Sequence, residues 1–186
     1  LILKDKTKET EYQNLLSEAE KNIQKWLDST QLINASYKNN ELLELKDLVI
    51  PELYYYWGTI LETKNLKEES AKKFNLAVQK AMELKPTVEK PTIIIYLVRY
   101  LKKINQTENA LQWLQKLEKA YPNEYTYLQR QATALTEIND YNRALPIAER
   151  AYQLSYGRNK LSTGLQLATI KKELHQKDKA KTLLKE

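Results

Sequence analysis

The chain has 186 residues, with 30 Lys or Arg against 24 Asp or Glu, and a formal charge of +6. It holds no Cys, one His and three Gly. That composition excludes disulfides and the usual zinc sites, and leaves too little glycine for a phosphate-cradling loop. The hydrophobic share of 42% is enough to bury a core, and the good helix formers Leu, Lys, Glu, Gln and Ala predominate, so the expected fold class is all-α. No apolar run approaches the roughly 18–20 residues of a membrane span, and no signal peptide is visible. Leu1 is not a start Met, so the expectation is a processed or partial chain, soluble, with the cytoplasm slightly favoured over periplasm or secretion.

In chain order, residues 1–8 are polar and Lys-rich and are expected to fray. A helix is predicted from about Thr10, with Tyr12, Leu15, Leu16, Ala19, Ile23, Trp26 and Leu27 on one side; Trp26 reads as core. Asp28–Thr30 is expected to bend the chain, and Tyr37–Asn40 to turn it. A short helix, Glu41–Ile50, should end at Pro51. Residues 1–50 thus form an N-terminal helical segment, either a cap or a diverged copy of the pattern seen in residues 51–186.

From Glu52 a helix carries Tyr54, Trp57, Gly58 and Leu61, with a turn at Asn65. Gly58 is expected where a neighbouring helix crosses. The next helix, about Lys67 to Leu84 through Ala71, Phe74, Ala77, Val78 and Ala81, reads as a turn longer than its counterparts. Then one pattern is written twice. Ile94, Leu97, Val98 and Leu101 make a stripe, Asn105 a turn, and Ala110, Leu114 and Leu117 a second stripe ended by Pro122. Leu128, Ala132 and Leu135, then Asn139, then Ala144, Ala148 and Ala151 repeat it. Asn105 and Asn139 are 34 residues apart, as are Ala110 and Ala144. Pro146 lies near the start of its helix, and Gly157 is expected as a left-handed residue after its end. The last copy has Leu161, Leu165, Ala168, Ile170 and Leu174, a turn at His175, and Ala180, Leu183 and Leu184.

These features, with the phrase Asn139-Asp140-Tyr141-Asn142-Arg143-Ala144-Leu145, resemble the tetratricopeptide repeat (TPR), whose period is 34 residues. The resemblance implies a right-handed superhelical solenoid of antiparallel helix pairs, with about four repeats at 51–90, 91–124, 125–159 and 160–186, the last one truncated. It also implies a concave groove lined by the first helices. The groove positions matching the family pattern include Tyr55, Thr59, Glu62, Ile95, Arg99, Lys102, Lys103, Gln129, Arg130, Thr133, Leu165 and Thr169. Of the carboxylate clamp known in chaperone-binding members, only Arg130 matches among Tyr55, Thr59, Tyr96, Thr126 and Arg130, so chaperone tails are not the expected ligand.

The remaining residues point away from chemistry. His175 reads as a surface turn residue, and carboxylates such as Glu18 beside Lys21 and Glu173 beside Lys177 read as ordinary solvated pairs. The expectation is a non-catalytic scaffold without cofactor, metal or small-molecule substrate, binding a partner protein or an extended peptide, of acidic character if Arg99, Lys102 and Lys103 face it. Two alternatives stay open. One is an appendage of a longer protein, thioredoxin-like or otherwise enzymatic. The other, weaker, is nucleic-acid binding by the basic end, where eight basic residues from Arg158 onward face three acids without aromatic interleaving. Self-association through the final helix is a further expectation.

Overall fold

The computed structural model describes the backbone at 2–36 and 40–183 and side chains at 9–29 and 49–183. All regular structure among the described residues is helical: α1 (Ile2–Ser36), α2 (Asn40–Thr63), α3 (Lys67–Glu83), α4 (Pro91–Lys103), α5 (Thr107–Ala120), α6 (Tyr125–Glu137), α7 (Tyr141–Leu154), α8 (Arg158–Glu173) and α9 (Lys177–Leu183). The chain divides into two compact units, residues 1–86 and 87–186.

One device closes the helix pairs. Asn65, Asn105, Asn139 and His175 all take φ near +60°. Each donates its N–H three residues back, and the following N–H reaches five residues back: Leu66 to Leu61 at 2.9 Å, Gln106 to Leu101 at 2.8 Å, Asp140 to Leu135 at 2.9 Å and Gln176 to Lys171 at 2.8 Å. This is the Schellman closure, which satisfies carbonyls that a helix end otherwise leaves bare. Asn tolerates the left-handed conformation because its short polar side chain bonds locally.

In the first unit α2 packs against α3 and, less extensively, against α1. The core here is Leu61, Phe74, Ala77 and Ala81. A Cβ on Gly58 would stand 2.6 Å from the Phe74 ring, so glycine is what lets α3 close on α2. At 17 residues α3 exceeds the 14 of α5 and of α7, matching the extra turn expected from the sequence.

Several N-terminal expectations are overturned. Helix α1 begins at Ile2 rather than Thr10 and stays helical through Asp28–Thr30. Helix α2 does not stop at Pro51 but contains it. Pro51 is fully buried, so packing offsets the hydrogen bond that its missing N–H removes. The expected turn at 37–40 lies outside the described residues except for Asn40, the first residue of α2. Trp26 is not core: it is 52% exposed, and Tyr12 and Leu15 are exposed too. Only the other flank of the stripe, ending at Leu27, turns inward. Ala71 also faces solvent.

In the second unit each helix packs on the next, α4 to α9, and α6 also touches α8. The predicted stripes on α4 to α7 are all buried: Ile94, Leu97, Val98 and Leu101; Ala110, Leu114 and Leu117; Leu128, Ala132 and Leu135; Ala144, Ala148 and Ala151. Pro91 opens α4 at its first turn, where its absent N–H costs least. Pro146 sits within α7 on an exposed position. On α8 the buried face is Thr163, Gly164, Leu167, Ala168 and Ile170, whereas Leu161 and Leu165 point outward at 69% and 50% exposure. Gly157 does not follow α7 as its left-handed end. Ser155 caps α7 in an extended conformation, and Gly157, at φ 56° and ψ −137°, precedes α8, a combination open only to glycine. Leu183 packs against the core; Leu184 lies outside the described residues.

Candidate functional site

Helices α4 and α6 leave a cleft of about 620 Å³ between them. Ile95, Tyr96 and Arg99 line it from α4, and Tyr127, Arg130 and Thr133 from α6. The spacing of three and four along each helix places these side chains on one face, while the intervening Leu97, Leu128 and Ala132 hold the helices to the core.

The cleft is basic and aromatic. Tyr96 and Tyr100 stack nearly parallel, ring centres 6.3 Å apart and planes at 11°. The Arg99 guanidinium lies over both rings at 5.4 and 5.3 Å, within cation–π range. Burial, and then the negative charge of Glu124, push the Tyr127 hydroxyl above its ordinary pKa, while Arg130 opposes them. The phenol therefore enters the cleft neutral, able to donate or accept.

The structure brings five of the sequence-predicted groove residues together: Ile95, Arg99, Lys102, Arg130 and Thr133. Lys102 is tied to Glu137 at 2.8 Å. Gln129 sits beside the cleft, its amide donating to Ser162 at 3.0 Å, and Lys103 does not line it. Leu165 and Thr169 belong to a second, smaller cleft of about 290 Å³ between α8 and α9. Tyr55, Thr59 and Glu62 lie on α2 in the first unit. Of the consecutive Tyr54, Tyr55 and Tyr56, the last is half exposed, as three successive helical residues require. The sequence placed Tyr96 only at a clamp position that it does not match, and Tyr127 went unnamed; their spacing from Arg99 and Arg130, three residues in each case, carried the signal.

Neighbouring pairs are laced by polar contacts, most of them about a repeat apart. Arg143 makes a forked pair with Glu108 at 2.8 and 3.1 Å. The Gln166 amide donates to Thr133 Oγ1 at 2.9 Å and to the Gln129 carbonyl at 3.2 Å. Glu118 accepts from buried Gln131 and from Arg150, which also reaches the Pro122 carbonyl. The expected Glu18–Lys21 and Glu173–Lys177 pairs are not formed; Lys171 instead reaches across to Glu149. Among the described residues no cluster of His, Asp or Glu is arranged to hold a metal ion, and no helix is long and apolar enough to cross a membrane.

No protein-family profile and no curated protein sequence matches the chain. Solved structures do. BtubC (BKLC) from P. vanneervenii aligns with 73% of this chain and 61% of its own length, at 16% identity and a TM-score of 0.51. The chain therefore spans under two thirds of that protein. YrrB, described as a TPR protein with an unusual peptide-binding site, aligns over 94% of this chain and 80% of its own at 17% identity and a TM-score of 0.49. A MamA structure covers 73% and 74% at 10% identity and a TM-score of 0.47. The chain itself combines antiparallel helix pairs, one shared closure and a 34-residue step. The fold is of the TPR type. Asn65, Asn105, Asn139 and His175 close its helix hairpins.

Proposed function

We propose that this TPR chain is a non-catalytic scaffold that binds an extended acidic segment of a partner protein in the cleft between α4 and α6. The observation that carries this reading is the pairing of Arg99 and Arg130 with Tyr96, Tyr127 and Ile95 around one open cleft. Guanidinium groups bond carboxylates through two parallel N–H donors. Tyrosines supply large contact area with a polar tip at little cost in side-chain entropy. A peptide with Asp or Glu next to an aromatic or aliphatic anchor matches that lining. We read 51–186 as about four repeats, with 1–50 as their N-terminal cap, and Tyr55, Thr59 and Glu62 as the equivalent face on α2.

Selection from a random peptide library on immobilised protein tests the reading. The expected outcome is enrichment of Asp and Glu beside apolar residues, and at least a tenfold loss of affinity in Arg130→Glu, whose side chain is exposed, with its circular dichroism unchanged. Failure to enrich any sequence, or equal binding by Arg130→Glu, would sink it.

A further inference from the structure

We infer that the chain associates head to tail with a second copy of itself, α1 of one molecule docking in the α8–α9 cleft of the next. The inference stands apart from the peptide cleft and rests on two surfaces that match each other. The receiving surface has a floor of Leu165, Ala168 and Ala180 and a rim of Lys172, Lys177 and Lys181. All three lysines are exposed, and none makes an ion pair among the described residues. Leu165 is itself half exposed. An apolar floor inside a ring of unneutralised cations fits an amphipathic segment whose apolar row is flanked by carboxylates.

Helix α1 is such a segment. Tyr12, Leu15 and Trp26 are 48%, 59% and 52% exposed and share one flank, since steps of three and eleven residues return to nearly the same face. Glu11 and Glu18, also exposed, stand three or four residues from Leu15 and so form the neighbouring row. The inner side of α1 is taken up separately: Trp57 Nε1 and Lys64 Nζ both donate to Glu20 at 2.8 Å, and Leu27 is buried. Docking of the outer flank therefore leaves the fold of either molecule intact. Over α1 as a whole six acids stand against five lysines, and over Arg158–Leu183 seven basic residues against two acids. The complementarity is therefore local, carried by Glu11 and Glu18 beside the apolar row against the lysines of the rim. Because the two surfaces differ, the contact is heterologous and extends into chains until the rotation closes a ring.

Sedimentation velocity on the whole chain, from about one micromolar to several hundred micromolar, tests this at low and high salt. The expected result is concentration-dependent growth that weakens with salt. Two charge reversals separate the surfaces. Glu11→Lys with Glu18→Lys, and Lys177→Glu with Lys181→Glu, should each reduce association at least tenfold while leaving the circular dichroism unchanged. An equimolar mixture of the two variants should regain association, because each reversed surface meets its reversed partner. A wild-type chain that stays monomeric, single reversals without effect, or a mixture that fails to recover would each overturn the proposal.

Discussion

The left-handed residues are the smallest features on which the fold depends. Asn139 and Asn105 hold φ near 60°, where an L-residue with a Cβ and no local hydrogen bond loses roughly 1–2 kcal/mol. Asn139→Ala should cost about 1 kcal/mol of stability in denaturant titration, whereas Asn139→Gly should be nearly neutral. Lys85, at φ 51° after α3, is the reverse case: Lys85→Gly should raise the denaturation midpoint. Gly58 is constrained by space instead. With the Phe74 ring 2.6 Å from any added Cβ, Gly58→Ala should destabilise by roughly 1–3 kcal/mol, the usual consequence of overpacking.

Among the elements, α1 shows how a long helix is held by few contacts. Burial pushes the Glu20 carboxyl up, but hydrogen bonds from Lys64 and Trp57 and the charges of Lys64 and Lys73 outweigh it and hold the pKa below the ordinary carboxylate value. Lys73 also places its ammonium 3.3 Å from the centre of the Trp57 ring. A carboxyl whose pKa is depressed by folding contributes stability that is complete above its unfolded value, about 4.3 for Glu, and is lost as the pH falls through the folded value. The docking of α1 should therefore weaken on acidification, and Glu20→Gln should flatten that limb. Trp57 fluorescence and thermal melts between neutral and strongly acidic pH measure it; an unchanged profile in Glu20→Gln would exclude Glu20 as the group responsible. The exposed pairs between repeats belong to another class. Removing Arg143 from Glu108, both about half exposed or more, should cost under about 1 kcal/mol and should matter less at high salt.

For the whole molecule, the two compact units make separate cores the relevant quantity. Phe74 lies in one and Leu114 in the other, both almost fully buried. Phe74→Ala should cost roughly 3–5 kcal/mol and Leu114→Ala roughly 2–5. Since each residue belongs to its own unit's core, each substitution should lower the midpoint of that unit's unfolding and leave the other's in place, measured by denaturant unfolding. A single transition shifted by both substitutions would mean that the units unfold as one coupled body.

The helical class, the 34-residue step, the turns at Asn65, Asn105, Asn139 and His175 and the buried stripes of α4 to α7 were legible in the sequence. All depend on local spacing, since apolar periodicity and turn chemistry act within a few residues of chain. The errors fell where a distant partner decides. Trp26 and Leu165 belong to apolar stripes by spacing, yet face outward because no described helix covers that flank. Pro51 reads as a stop but is carried through α2 by the packing around it. Arg99 and Arg130 could be placed on groove faces by analogy, but their convergence with Tyr96 and Tyr127 required α4 and α6 to lie side by side. Periodicity determines which face of a helix is apolar; only tertiary structure determines which neighbour, if any, that face meets.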